Sequence, residues 1–243
     1  MGLKGSLRNV STGVSAIPDS VVNQYLVEDF TESNWPDSEG DVDINTISGL
    51  SVESNAIGDT DAVVGDGTDD YGQADGAPDI DLSGSWAVSV PFETEADETE
   101  RMIAFDESGD SRFDLIANGG GFSGNINNLG IRITDENGNS LRTDTQTDFA
   151  DGEPHHLILQ ASSPSLDDLE FYVDDMENEQ DKGGDRDDGL NDFDEFNESY
   201  YFSYANTDSN LDGAMGDIRW FNDTLDEHER KNVQSALPFD PNA

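Results

Sequence analysis

Cysteine is absent from this 243-residue chain, which excludes disulfides, thiolate metal sites and thiol nucleophiles. Lysine is nearly absent, confined to Lys4, Lys182 and Lys231. No apolar run reaches the roughly 18 residues of a membrane span, and no signal-peptide core follows Lys4, so neither membrane insertion nor signal-peptide export is expected. Positive charge is scarce altogether: 11 Lys and Arg stand against 55 Asp and Glu, a formal net charge of -44. A polyanion of this size does not bind nucleic acid by neutralising phosphates.

The acid is unevenly placed. Residues 1–27 hold only Asp19 beside Lys4 and Arg8, so almost all the negative charge falls on the remainder. An acidic body repels itself in dilute buffer, and concentrated salt screens that repulsion by cutting the screening length from about 10 Å to about 3 Å. Near-absence of lysine with abundant acid is the composition of a halophilic protein. The opening stretch has escaped that pressure, as a segment covered by another protein would. Residues 1–23 therefore read as an assembly arm, with Leu3, Leu7, Val10, Val14 and Ile17 as its apolar series and Lys4 and Arg8 as its cations. A disordered terminus is the alternative.

Leu, Ile, Val and Phe make up 53 of the 243 residues, close to the level of about 20 % at which high charge signals disorder. Pattern decides the matter. The apolar residues fall in short alternating or continuous runs separated by Gly, Asp and Asn turns, the signature of an all-β domain. Strands are expected at 24–30, 46–52, 62–64, 70–74, 85–93, 101–106, 112–117, 129–134, 155–161, 169–173, 199–204 and 216–221, which makes a sandwich or barrel over residues 24–243. DENGN, residues 135–139, reads as a hairpin turn with Asn137-Gly138 as the tight pair. One helix is expected near the end: Thr224 and Glu227 form a capping box, Leu225, His228, Val233 and Leu237 follow, and Pro238 stops it.

Five segments in order carry a resemblance: GDGTDDYGQA (65–74), GSWAVSVPFET (84–94), DGEPHHLILQA (151–161), LEFYVDD (169–175) and GAMGDIRWFNDTLDEHERKNV (213–233). Together they resemble the LamG-like, concanavalin A-like jelly-roll family over about residues 25–237. The resemblance implies two antiparallel sheets packed face to face, one short C-terminal helix, and calcium at a sandwich rim, without a ligand set that transfers residue by residue. Two departures stand out. Pro154 replaces the Trp before His155, which suggests an edge strand, and Asp175 replaces a hairpin Gly, which suggests a remodelled hairpin.

Catalytic chemistry finds little support, so no enzyme is expected. Some glycoside hydrolases of similar fold set carboxylates on alternate residues of one strand, and that run is missing here. Pairs such as Glu93 and Glu95 read as a solvated acidic face. His155 and His156 are adjacent and point to opposite faces of a strand, so they do not form one metal site.

The acidic segment DKGGDRDDGLNDFDEF (181–196) is the foremost ion-binding candidate, because Asp185, Asp187, Asp188, Asp192 and Asp194 crowd around Gly189, and Ca2+ takes six to eight oxygens on a flexible loop. A solvated acidic loop is the competing reading. Asp66, Asp69 and Asp70 form a second candidate. Sugar rings stack on aromatics, and four aromatics are candidate ligand contacts: Trp35 in a polar loop, Phe122 in NGGGFSGNINN, and Tyr200 and Tyr204 of YYFSY. Trp86 and Trp220 are expected in the core.

Three functions stay open. The chain reads best as a virion structural protein of a halophilic virus, of the tail-fibre, spike or turret kind found in tailed viruses of halophilic archaea. The arm would anchor it to other virion proteins, the sandwich would face host-surface glycans, and the protein would form a homo-oligomer, a trimer or a pentamer. A turret or decoration protein without receptor role, and a cellular glycan-binding or adhesion module, are the alternatives. A hydrolase is disfavoured.

Overall fold

The computed structural model describes residues 17–95, 99–106, 111–117, 128–190, 193, 196–203 and 209–237. Its strands, in chain order, are β1 (Val21–Tyr25), β2 (Ile44–Ser48), β3 (Ser51–Ile57), β4 (Thr60–Asp66), β5 (Tyr71–Ala74), β6 (Trp86–Thr94), β7 (Glu100–Asp106) and β8 (Arg112–Ala117). They continue as β9 (Asn128–Thr134), β10 (Ser140–Asp148), β11 (His155–Ala161), β12 (Leu169–Val173), β13 (Lys182–Asp187), β14 (Glu198–Tyr201), β15 (Asp212–Met215) and β16 (Ile218–Phe221), followed by helix α1 (Glu227–Ser235). All pairings are antiparallel, and they make two eight-stranded sheets. The all-β, two-sheet sandwich read from the sequence is the observed fold.

The first sheet is organised around β6, the most continuously apolar strand. β11 pairs with it from His155–Phe92 to Ala161–Trp86, and β12 lies beyond β11. The opposite edge of β6 is shared: β16 pairs at Ser89 to Ala87 and β15 at Thr94 to Phe92. β15 and β16 are thus one line of chain interrupted at Gly216-Asp217, where the Gly216 amide donates to the Pro91 carbonyl at 2.9 Å. β1 lies against β16, and β4 then β3 against β15. The second sheet runs β13-β10-β9-β8-β7-β14-β5-β2.

Between the sheets, alternate residues interlock. Phe105 stacks on Phe113 at 4.8 Å and meets Trp220 at 5.1 Å, while Trp86 meets Phe113 edge-on at 5.8 Å. Trp86 and Trp220 are fully buried, as core residues should be. A second apolar layer covers the outer face of the first sheet, where α1 lays Val233 against Ala87, Ile158, Tyr172 and Phe221. Arg230 joins that layer: its guanidinium sits 3.7 Å from the centre of the Tyr172 ring and donates to the Leu225 and Met176 carbonyls.

Several expectations need correction. The expected strand 46–52 is two strands in different sheets, because Gly49 takes a φ of +70° and turns the chain from one sheet to the other. β1 begins at Val21, so residues 21–23 belong to the sandwich. The helix is capped by Asp226 and Glu229, which form the capping box in place of Thr224 and Glu227. β11 is an internal strand, and Pro154 lies just before it, where no ladder amide is needed. The DENGN turn closes the β9–β10 hairpin, with Gly138 alone at positive φ and the Asp135 carboxylate accepting the Asn137 and Asn139 amides. Among the described residues, no helix is long and apolar enough to cross a membrane.

Candidate functional site

Two crossings between the sheets lie side by side at one rim of the sandwich. One runs from β2 to β3 through Gly49, the other from β4 to β5 through residues 67–70; their strands pair, Ser48 with Tyr71 and Ser51 with Val64. Asp66, Asp69 and Asp70 are brought together here, with a ligand oxygen of each within 4.8 Å of the others. Asp66 Oδ1 accepts the Thr68 amide at 3.0 Å, and the Asp66 amide donates to the Asp70 carboxylate. Asp70 is buried, and Gly49 is the residue that leaves it room, since a Cβ at Gly49 would lie 1.5 Å from Asp70 Oδ1.

Electrostatics follows from that packing. The Asp66 carboxyl is held below the ordinary range by its hydrogen bond with Asp70 and by the Thr68 amide. Burial pushes Asp70 up, and the charges of Asp66 and Asp69 add to the effect. Burial and the neighbouring acids thus both disfavour the charged form of Asp70. A hard cation would offset that crowding of negative charge, and three converging carboxylates with solvent on the open side suit the oxygen-rich, adaptable shell of Ca2+.

Beside the cluster a cleft of about 710 Å³ opens on the outer face of β3, β4, β15 and β6. Glu53, Asp70, Glu93, Glu95 and Asp212 line it. Glu93 and Glu95 therefore face a cleft, and Glu93 Oε2 accepts the Gly58 amide at 3.2 Å.

The other site residues fall elsewhere. Trp35 is a correction: it is 0 % exposed, its Nε1 donates to the Leu26 carbonyl at 2.8 Å, and its ring meets Tyr25 and Phe30 edge-on. The polar loop around it bonds to itself, Asp37 Oδ1 accepting the Glu39 and Gly40 amides, which frees the indole to turn inward. Tyr200 is only 4 % exposed and donates to Glu198. Phe122 and Tyr204 lie outside the described residues.

In the acidic segment, 182–187 is a strand, β13, paired with β10. Asp187 accepts the Leu166 and Gly189 amides at 3.1 and 2.9 Å, and Asp188 accepts the Ser140 amide and Arg186. Asp192, Asp194 and the side chain of Asp185 lie outside the described residues. Of the arm series, Leu3, Lys4, Leu7, Arg8, Val10 and Val14 also lie outside them; Ile17 is half-buried and packs with Val21 on the helix-covered face of its own sandwich.

The two strand histidines differ. His155 bridges Asp174, 2.7 Å from Nδ1, and Asp151, 3.1 Å from Nε2. His156 is fully buried with Nε2 2.8 Å from Ser89 Oγ, and burial, with the Arg219 charge, pushes it down to about 3. They are structural groups on opposite faces of β11.

No family model and no curated protein sequence matches the chain. Solved structures do. The binding domain of Paraclostridial Mosquitocidal Protein 1 superposes with a TM-score of 0.64 at 11% identity, covering 89% of this chain and 52% of that one. The receptor binding domain of botulinum neurotoxin C/D mosaic serotype gives 0.61 at 14%, covering 88% and 50%. Trypanosoma rangeli sialidase gives 0.58 at 12%, covering 90% and 33%. The chain spans about half the length of the toxin domains and a third of the sialidase. At these identities the likeness is one of fold, a β-sandwich shared with receptor-binding domains.

Proposed function

We propose that this protein is a receptor-binding sandwich without enzymatic activity that recognises surface glycans, displayed on the virion of a halophilic virus. The observation that carries the reading is the fold, matched over nearly the whole chain to domains described as binding or receptor-binding. The rim cleft and its aspartate cluster support it, because a cleft lined by carboxylates accepts sugar hydroxyls, and Ca2+ at Asp66, Asp69 and Asp70 would bridge the two. Charge supports the setting: the acidic body suits concentrated salt, and the weakly basic opening residues suit contact with other virion proteins in a homo-oligomer.

The test is a pull-down in molar KCl of virions and of host envelope, using the full chain and a variant lacking residues 1–16, with and without calcium. Loss of particle docking in the truncated protein, with calcium-dependent envelope binding retained, is the expected result. Envelope binding by neither form removes the receptor role and leaves a turret or decoration protein. Docking that survives truncation removes the anchor.

A further inference from the structure

The chain has eleven basic residues, and five of them are arginines carried one each by five adjacent strands of the second sheet: Arg186 on β13, Arg142 on β10, Arg132 on β9, Arg112 on β8 and Arg101 on β7. All lie on the outer face. Core side chains Leu141, Ile131 and Ile133, and Phe113 and Leu115 hold the alternate positions on β10, β9 and β8. Register sharpens the picture: Arg186 is opposite Arg142, Arg142 opposite Arg132, Arg132 opposite Asp114, Asp114 opposite Ala104 and Ala104 opposite Tyr200. Three arginines in a straight cross-strand row is an arrangement that like-charge repulsion disfavours.

Most of this charge has a counter-charge. Asp114, fully buried, receives Arg101, Arg112 and Arg132 at 3.2, 2.6 and 2.7 Å. Arg186 pairs with Asp188 at 2.6 Å. Arg142, between them, makes no hydrogen bond or close ion pair among the described residues, and its Nε is shut off from solvent without an acceptor. Arg132, Arg186 and Arg112 repel it, and among its strongest charged neighbours only Asp188 attracts it. Asp144 is on the same face of β10, buried, and Asp106 and Glu198 lie at the β7–β14 end of the face.

We propose that Arg142, flanked by Arg132 and Arg186, forms a subsite for a single oxyanion, carboxylate or sulfate, carried by a saccharide. This rests on the glycan-binding reading above and names the class of glycan. The planar guanidinium fork matches both oxyanions, and lysine does not reproduce it. Asp114 and Asp188 neutralise the row on either side of Arg142, so the ligand is an isolated acidic group on an otherwise neutral sugar.

The experiment is interferometry of the full chain, at one fixed molar KCl concentration, over surfaces of galactose, galactose 6-sulfate, glucuronic acid and a glutamate-rich peptide, with inorganic sulfate as soluble competitor. At least tenfold stronger retention on the sulfated or uronic sugar than on galactose is expected. Arg142→Gln should abolish that preference while the melting temperature stays level or rises, and Arg142→Lys should restore only part of it. Equal retention on neutral and acidic sugars overturns the subsite and leaves the glycan reading standing; retention on no sugar overturns both. Equal retention on the peptide assigns the row to an acidic protein partner instead. Competition by free sulfate as strong as by soluble galactose 6-sulfate reduces it to an inorganic-anion site. A melting temperature lowered by Arg142→Gln makes Arg142 structural and overturns the proposal.

Discussion

His155 Nδ1 lies 2.7 Å from Asp174 Oδ2, while the other oxygen of that carboxylate accepts the His156 amide at 2.8 Å, so one aspartate at φ +60° fixes both histidines at the start of β11. Burial alone would lower the pKa of His155, but Asp174 and Asp151 outweigh it and raise it. The stability His155 contributes is complete below the unfolded value near 6.5 and fades as pH rises through its folded pKa. His156 has the opposite sign. Its folded pKa near 3 means that stability present above about pH 6.5 is lost as pH falls, at about 1.4 kcal/mol per pH unit. Imidazole NMR titration should find His155 charging above pH 6.5 and His156 neutral down to the acid transition. Titration of both near 6.5 would sink this assignment.

Asp114→Asn should be among the most damaging single changes in the chain. It removes the buried carboxylate on which Arg101, Arg112 and Arg132 converge, and breaking such a buried pair costs about 3–5 kcal/mol. Denaturant unfolding in high salt measures it. A loss within experimental error of zero would mean that solvent or salt already neutralises the cluster.

Calcium should stabilise the protein through the rim. At 100 times its dissociation constant a ligand adds about 2.7 kcal/mol, and this shift should vanish in Asp70→Asn and in Gly49→Ala, whose new methyl displaces the Asp70 carboxylate. Gly49→Ala should also lose roughly 1–2 kcal/mol without calcium, from its left-handed backbone. Melting curves with calcium and with chelator decide it; an undiminished calcium shift in Asp70→Asn would place the ion elsewhere.

Trp35→Ala should cost about 3–5 kcal/mol in unfolding free energy, because the indole is wholly inside the sandwich. Glycan retention by the folded variant should be unchanged. A stable variant with lost retention would restore Trp35 as a ligand contact.

Much of the fold was legible in the sequence because its strands are consecutive, short and bounded by turn residues; 101–106, 112–117, 155–161 and 169–173 fall where alternation put them. What escaped was set by partners distant in sequence. Trp35 sits among polar residues, yet those residues bond to one another and the ring turns inward. β13 has a Gly-rich acidic sequence with no strand signal, and it pairs only because β10 offers an edge. Gly49 was hidden inside an apparently continuous run. The arginine row was least legible: residues 101, 112, 132, 142 and 186 are unevenly spaced, and only the registers of four ladders bring them together. One clue was present, since β8, β9 and β10 each carry one arginine out of phase with their apolar residues, whereas Arg101 shares its phase with Ile103 and Phe105 and is turned outward only by a bulge in β7.

Val21, the first residue of β1, lies opposite Phe221, the last of β16. The chain thus enters and leaves this pair at the same end. Tension applied between those two points falls on the ladder one hydrogen bond at a time, and the pair peels like a zip instead of shearing along its length. A domain wired this way withstands pulling better when the load enters at one end of the chain and leaves through a bound ligand than when it is stretched between its two ends.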